Sequence, residues 1–163
     1  MLESAKTSHQ SAIDGISELQ KQLTFRFSVL SKLLDRQMSE IAKAHDLSLG
    51  AYRALVTIEA FGQLSAADLC RYTGYDKAAI SRHLADLQQA ELIETRPDPD
   101  HGRRKLLSVS DAGRARIEAA RPAVEDRRAG LSAQLAPGEE AVFLRVIDKL
   151  ATYVDRTKLT AVK

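Results

Sequence analysis

The 163-residue sequence predicts a mainly α-helical protein with one small β-hairpin. Two observations support this fold class. Apolar residues recur every three or four positions over most of the chain, which is the spacing of amphipathic helices. After Ala90 the period shortens, and a segment rich in Pro, Asp and Gly separates two short β-prone runs. We therefore expect helices before and after a single hairpin.

Residues 17–44 form the longest predicted helix. Its apolar positions are Leu19, Leu23, Phe27, Leu30, Leu34, Met38 and Ile41. A helix of this length is long for a globular domain, which indicates that it packs against a partner. A second helix is predicted from the N-cap Ser48 to about Ala60, where Gly62 follows as its stop.

Two shorter helices separated by a turn come next. Ser65-Ala-Ala-Asp68 is a capping-box variant that opens the first of them, and Gly74 is its expected stop. Asp76 caps the second helix, in which an apolar stripe from Ile80 to Leu87 faces the interior. A short helix, a turn containing Gly and a longer helix together indicate a helix-turn-helix.

The predicted hairpin follows directly. Residues 92–96 and 105–110 are the two β-prone runs, and residues 97–102 are a concentrated turn signal. A helix-turn-helix followed by such a hairpin is a winged helix. We assign the winged lobe to residues 48–110 and its reading head to about residues 65–110.

The helical period returns at Asp111 and continues to the C-terminal region. Pro122 lies inside this pattern, and we expect it to bend the helix rather than end it, because helix formers continue on both sides. Pro137-Gly138 precedes a last helix. Its apolar face is formed by Phe143, Val146, Ile147, Leu150 and Val154.

The second helix of the helix-turn-helix is the predicted reading element for DNA. The residues assigned to it as DNA contacts are Lys77, Ala78, Ala79, Ser81 and Arg82. A recognition helix lies in the major groove with its N-terminal residues at the base edges. Arg82 has the fork geometry to bind a guanine, and the two alanines can make only apolar contacts, such as with thymine methyl groups.

The wing supplies a second group of cations. Arg103, Arg104 and Lys105 are adjacent at the entrance of the second strand, and we predict that they contact DNA. Arginine is attracted to the negative potential of a narrow minor groove. The nearby acids Asp98 and Asp100 partly offset this charge, and one of them can instead orient an arginine.

Composition limits the other possibilities. The net charge is only +2, so the position of the cations matters more than their number. The longest apolar stretch is too short for a membrane span and the N-terminus lacks a signal-peptide core, so we expect a cytoplasmic protein. The single cysteine excludes an intrachain disulfide, and the four histidines lie in unrelated elements. We predict no cofactor, no metal and no enzymatic activity.

Residues 64–113 resemble the DNA-binding lobe of the MarR (multiple antibiotic resistance regulator) family. The specific similarities are Asp76-Lys77, Ser81-Arg82, and the start of the following helix at Ser110-Asp-Ala-Gly113. The flanking helices agree in number and order, so the chain is treated as one domain of this type over residues 1–163. The family's wing usually carries Asp-x-Arg, where this sequence has His101-Gly102-Arg103.

The resemblance implies a homodimer whose dimerisation helices are residues 17–45 and 111–157. It implies an inverted-repeat operator, since two-fold symmetry would place the recognition helices about one DNA turn (~34 Å) apart. It also implies a regulator, more often a repressor, that a small molecule releases from DNA. The residues expected to line an effector crevice are Phe27, Leu30, His45, Tyr52 and Arg53.

Two alternatives remain open from the sequence. Cys70 suggests the same fold acting as a thiol-based oxidation sensor, although a buried cysteine is typically an inert small hydrophobe. A winged helix can also serve only for protein–protein assembly. Such a module would not need cations at both the second helix and the wing, which favours DNA binding.

Overall fold

The computed structural model describes residue 16, residues 18–102 and residues 104–160, with side chains to residue 154. The elements are α1 (Leu23–Lys43), α2 (Leu49–Phe61), α3 (Ala66–Thr73), α4 (Lys77–Gln89), β1 (Ile93–Pro97), β2 (Lys105–Val109), α5 (Asp111–Ser132) and α6 (Glu139–Thr160). The mainly helical fold with one hairpin is thus confirmed. The chain divides into two compact units between Ala120 and Arg121, and each unit is described separately.

The first long helix is interrupted where the sequence predicts continuity. Gln22 has extended backbone angles (φ −78°, ψ 128°), and α1 begins after it at Leu23. Residues 18–21 before the break are helical. The apolar period passes through Gln22 unbroken, so the sequence pattern contains no sign of this interruption.

The predicted helix ends in the winged lobe are confirmed. The Ser48 hydroxyl accepts a hydrogen bond from the Ala51 amide at 3.1 Å and so caps α2. Ser65 and Asp68 form the reciprocal capping box of α3. Gly74 ends α3 in the left-handed conformation (φ 72°), which glycine adopts without steric cost.

The hairpin is antiparallel and carries a short third partner. Ile93 of β1 lies opposite Val109 of β2. Leu64 pairs with Leu107 through two backbone hydrogen bonds, of 2.9 and 3.3 Å, on the other side of β2. Because Leu64 directly precedes the α3 cap, this pairing fixes the hairpin to the start of the helix-turn-helix.

The core of the first unit lies beneath α2, α3, α4 and the hairpin. Its largest fully buried side chains are Leu55, Ile58, Leu69, Ile80 and Leu87. The strands add Ile93, Leu107 and Val109, and the first part of α5 adds Ile117 and Ala120. The winged lobe therefore buries most of its large apolar side chains within the first unit, and Phe61 and Tyr72 are exposed exceptions.

The start of α5 explains why the sequence has Ser-x-x-Gly there. The Ser110 hydroxyl accepts a hydrogen bond from the Gly113 amide at 3.0 Å and donates one to the Glu91 carbonyl at 2.7 Å. A Cβ atom at Gly113 would lie 2.1 Å from the Leu92 carbonyl oxygen. Only glycine permits this approach, so the motif seats α5 against the end of α4 and the start of β1.

The second unit consists of the end of α5 and α6. Pro122 lies within α5 and does not end it, as predicted. Gly138 (φ 87°) precedes α6, and no described residue of α6 is buried within the single chain. The large apolar side chains exposed on α6 are Val142, Phe143, Leu144, Val146, Leu150, Tyr153 and Val154. In the part of the chain that the structure describes, no helix has the length and apolar character needed to cross a membrane.

Candidate nucleic-acid interface

The outer face of α4 presents most of the predicted contact residues to solvent. Lys77, Ala78, Ser81 and Arg82 are exposed, and Ala79 is half-buried. The opposite face of the helix is fully buried at Ile80 and Leu87. The first two turns of α4 therefore form an accessible surface on a helix that cannot rotate without exposing its core side.

The two ends of α4 are fixed by side-chain hydrogen bonds. At the N-terminus, the Asp76 carboxylate accepts from the Ala79 amide at 2.7 Å. In the last turn, the Gln88 side-chain amide donates to the Thr95 hydroxyl on β1 at 2.9 Å. The second bond ties the reading helix to the hairpin, so the orientation of the helix and that of the wing are connected.

A cavity of about 470 Å³ lies between α3, α4 and the hairpin. Its lining is Ala66, Ala67, Cys70, Lys77, Ile80, Ser81, Leu84, Ala85, Gln88, Thr95, Lys105 and Leu107. The structure thus brings together three of the predicted contacts, namely Lys77 and Ser81 of the helix and Lys105 of the wing. Cations from two separate elements border one concave surface.

Three of the predicted DNA-contact cations carry a charge that no acid among the described residues neutralises. Lys77, Arg82 and Lys105 make no salt bridge to another residue that the structure describes. Their charge is therefore available to an external anion. A duplex carries such anions as phosphates at regular spacing, and cations that neutralise them supply most of the non-specific affinity for DNA.

Arg104 has a different environment from the other predicted wing contacts. Its guanidinium lies 2.5 Å from the Asp68 carboxylate and 3.4 Å from that of Asp98, which is 8% exposed. We name Asp68, Asp98 and Arg104 the wing clasp, since it joins the start of α3 to the loop of the hairpin. DNA contact by Arg104 stays a prediction, but its guanidinium is already paired with the carboxylates of Asp68 and Asp98.

Asp68 is held in its ionised form by its neighbours. The pKa of its carboxyl is lowered, chiefly by the hydrogen bonds that the Ser65 hydroxyl and amide donate to it. Burial acts in the opposite direction, and the cations Arg104 and Arg71 lower the pKa further. The same carboxylate therefore caps a helix and anchors the wing at neutral pH.

The hairpin loop is built around Asp98. Its carboxylate accepts from the Asp100 amide at 3.0 Å, and its own amide donates to the Arg104 carbonyl at 2.9 Å. The sequence suggested that Asp98 or Asp100 could orient an arginine, and the clasp identifies Asp98 and Arg104 as such a pair.

Arg103 lies outside the described residues, so its predicted DNA contact stays a prediction. The role of Asp68 in the clasp was missed, because its capping-box position already accounted for it.

The five predicted effector residues lie in different settings. Phe27 and Leu30 are exposed on α1, and Leu30 borders a shallow cavity of about 400 Å³ on that helix. His45 lies in the turn after α1, where its carbonyl accepts from Arg116 at 2.5 Å. Tyr52 is buried, and Arg53 bonds to other side chains of the same unit. The effector assignment stays a prediction.

Cys70 is half-buried and borders the cavity between α3 and α4. The sequence suggested a buried position, at which a cysteine is typically inert. In the structure Cys70 is only half-buried and lines the same cavity as Lys77 and Lys105. This position is relevant to the oxidation-sensing alternative, because reactivity of a thiol requires an accessible and cationic setting.

Comparisons with known proteins agree with this geometry. The MarR family model matches residues 45–104. The chain is 26% identical over 93 residues to YdgJ, an uncharacterized HTH-type transcriptional regulator of Bacillus subtilis, and the match covers 57% of each chain. A probable transcriptional regulator from Pseudomonas aeruginosa is similar in structure, with a TM-score of 0.72 and 28% identity over 81% of this chain and 98% of that one.

A complex with DNA is also among the similar structures. A mutant of MarR from Escherichia coli bound to operator DNA has a TM-score of 0.72, covers 78% of this chain and 92% of its own, and is 22% identical. At that identity the likeness concerns the fold. The family match spans α2, α3, α4 and β1, and it therefore includes α3, α4 and the first strand of the candidate interface but ends before Lys105 of β2. The matched relatives are transcriptional regulators rather than enzymes.

Proposed function

We propose that the chain is a transcriptional regulator of the MarR family, whose model matches residues 45–104, and that it binds double-stranded DNA as a homodimer at an inverted-repeat operator. One observation carries the proposal. The exposed face of α4 and the start of β2 present Lys77, Ser81 and Lys105 around one cavity, with Arg82 exposed beside them. Cations on both the helix and the wing, which pair with no acid in the described part of the chain, fit the groove and the flanking phosphates of a duplex.

Each residue has a distinct role in this proposal. Arg82 reads a guanine through its two parallel donors, and Ser81 bonds to a base or a phosphate. Lys77 and Lys105 bind phosphates and fix the register. Ala78 and Ala79 allow close approach and contact thymine methyl groups. Arg103 enters the adjacent minor groove, while Arg104 holds the wing in place through the clasp.

The homodimer is supported by apolar surface that the single chain leaves uncovered. The large apolar side chains exposed on α1 are Leu23, Phe27, Val29, Leu30 and Leu33. The corresponding surface on α6 extends from Val142 to Val154. Exposed apolar surface on two long helices is typical of an obligate interface between copies of one chain. A two-fold dimer would present two α4 helices to one face of DNA.

Repression and release by a small molecule complete the proposal. A protein that covers an operator blocks access to it, and an effector that binds only the DNA-free form shifts the population away from DNA. Footprinting on the operator together with transcription from the same fragment would test the sign of regulation. Activation of that promoter by the purified protein would overturn the repressor assignment.

The experiment that tests DNA binding is operator selection followed by a salt series. Duplexes recovered from a random pool should share an inverted repeat, and Arg82→Ala should lower affinity for it by about 10- to 100-fold while relaxing preference at one position. Lys77→Ala and Lys105→Ala should each weaken binding to all duplexes and reduce the salt slope by about one. Arg114→Ala, which removes an arginine paired with Asp111 at 3.0 Å, is the matched control and should have no effect.

The outcome also separates DNA binding from a protein-assembly role. A pool that yields no shared motif, with binding that does not weaken as salt rises, would overturn the proposal. An assembly module would give the same affinity in wild type and in Arg82→Ala, because no base would be read. If Arg114→Ala also lost affinity for DNA, the loss in Arg82→Ala would reflect removal of an arginine in general and not a specific contact by Arg82.

Oxidation sensing through Cys70 is a second candidate, favoured by its half-buried position at the cavity. Mild peroxide should then give stoichiometric sulfenate or an interchain disulfide at Cys70, and operator binding should fall with the same time course. Cys70→Ser should bind operator normally and resist peroxide. Equal resistance of wild type and Cys70→Ser would overturn this candidate and leave DNA binding unaffected.

A further inference from the structure

A polar contact chain joins α1 to the turn before α4. Arg53 of α2 lies at its centre. One of its terminal nitrogens donates to the Asp35 carboxylate of α1 at 2.5 Å. The other donates to the Tyr75 hydroxyl, between α3 and α4, at 3.2 Å. One guanidinium therefore holds a residue of α1 and a residue of the helix-turn-helix at the same time.

The contact chain continues from Tyr75 into the middle of α4. The Tyr75 ring meets the His83 ring edge-on, with centroids 5.4 Å apart at an angle of 66°. His83 in turn fills the space left by Gly50 at the start of α2, where an added Cβ atom would lie 2.1 Å from the imidazole Nε2. The imidazole is thus confined between the tyrosine ring and the α2 backbone.

Arg53 remains charged in this position. Burial lowers the pKa of its guanidinium, but the hydrogen bonds to Tyr75 and Asp35 outweigh that effect, so the pKa lies above its ordinary value. A guanidinium with two fixed acceptors has few alternative orientations. Its planar fork therefore transmits a displacement of Asp35 to Tyr75, which a flexible lysine would absorb.

We infer that Arg53 is a positioning residue, which couples the placement of α1 to the orientation of α4 through Asp35, Tyr75 and His83. The inference rests on the proposed DNA-binding function and adds a connection to it. It also changes the meaning of Arg53, which the sequence suggested as an effector contact. The exposed apolar face of α1 lies on the helix that begins this contact chain, so pairing of α1 with a second copy would act on the reading helix through Arg53.

The test compares specific with non-specific DNA affinity in the full-length chain. Arg53→Met should weaken binding to the selected operator by about tenfold, since both charge-assisted bonds are lost. Its affinity for an unrelated duplex should change by less than about twofold, because the phosphate contacts remain. Tyr75→Phe, which keeps the ring against His83, should weaken operator binding by several-fold. Arg53→Lys should recover part of the loss, and Arg114→Met is the matched control.

A second readout does not depend on DNA. Hydrogen exchange of the α4 amides should be faster in Arg53→Met and in Tyr75→Phe than in wild type or Arg114→Met. Unchanged exchange and unchanged operator affinity in both variants would overturn the inference. An equal loss for operator and unrelated duplex would also overturn it, because Arg53 would then act as a general phosphate attractor.

The two readouts separate the inference from the proposed function. If wild type shows no preference for any duplex, DNA reading is wrong, and the exchange data alone decide whether Arg53 positions α4. If wild type binds its operator tightly and Arg53→Met does so equally, the function stands and the positioning role is wrong. Tyr75→Phe changes one hydroxyl only, so it decides the matter if Arg53→Met does not fold.

Discussion

The winged lobe differs from the long helices α1 and α6 in how far its large apolar side chains are buried. In the lobe, Leu55, Leu69 and Leu87 are completely buried. On α1, Leu23 is 64% exposed, and on α6, Tyr153 is 68% exposed. Their composition is not the reason, since all three regions are rich in large apolar side chains. The difference lies in how much of each side chain the rest of the chain covers.

This contrast indicates two kinds of surface with different partners. The lobe has capped helices and an internal core, and near α4 it presents the cations Lys77, Arg82 and Lys105 to solvent. The long helices present apolar area that water does not favour. A charged surface is expected to bind DNA, and an apolar one is expected to bind another copy of the chain. Substitutions in the two regions should therefore affect different measured properties.

The largest effect is expected from a cavity in the lobe. Leu69→Ala removes a completely buried side chain and should lower the free energy of unfolding by about 2 to 5 kcal/mol. Chemical denaturation at several protein concentrations would measure it. The loss should be the same at each concentration, because the lobe core needs no partner. A loss that disappears at high concentration would show that the lobe core is not independent.

The apolar face of α1 should control assembly instead. Placing carboxylates at Phe27 and Leu30, as Phe27→Asp with Leu30→Asp, should give monomers, because unpaired charges would be buried in the interface. Losing the second half-site contact should weaken operator binding by about 100-fold. Sedimentation and DNA titration would measure both effects. Lys32→Glu, on an exposed position of the same helix, is the control, and a variant that stays dimeric would place the interface elsewhere.

The packing of His83 against Gly50 allows a test by compensation within the lobe. Gly50→Ala should cost about 1 to 3 kcal/mol of stability, because the new methyl group overlaps the imidazole. Adding His83→Ala should restore much of this loss in thermal unfolding, since the space is then open. If Gly50→Ala is stabilising by itself, helix propensity outweighs the overlap and the His83 ring has room to move.

The smallest effect is a pH dependence from the wing clasp. Because the pKa of Asp68 is lowered in the folded protein, its contribution to stability is present above its unfolded pKa of about 3.9 and is lost as pH falls through the folded value. Asp68→Asn should therefore cost about 1 kcal/mol at neutral pH and progressively less below about pH 4. Unfolding of wild type and variant from neutral to acid pH would measure this, with Asp86→Asn as the control. A difference that does not shrink in acid would contradict the lowered pKa of Asp68.

Local signals in the sequence predicted the helices and the hairpin well. The signals that begin or end helices act on the backbone within four residues, so their effect can be predicted without tertiary structure. These signals are Ser48, Ser65, Gly74 and Asp76. The break at Gln22 was not predicted, because the apolar pattern continues through it. Three predicted strand ends differed by one residue, at Leu92, Arg96 and Ser110, as expected where pairing rather than composition ends a strand.

The contacts that organise the candidate interface were harder to predict because their partners are far apart in sequence. Asp68 and Arg104 are 36 residues apart, and Arg53 and Tyr75 are 22 apart. The capping box already explained why an acid stands at position 68, so nothing in the sequence indicated that Asp68 also pairs with Arg104. Exposed residues such as Lys77 and Arg82 were easier to select, because an outward cation on a helix follows from the period alone.

The backbone at Glu91 has a consequence for the practical handling of this protein. Glu91 adopts a left-handed conformation (φ 57°) just after α4, which a residue with a Cβ atom occupies at a cost of about 1 kcal/mol. Its carbonyl, not its side chain, accepts the Ser110 hydroxyl. Glu91→Gly would keep that bond and relieve the strain, so this position is suited to raising the melting temperature before crystallisation with DNA.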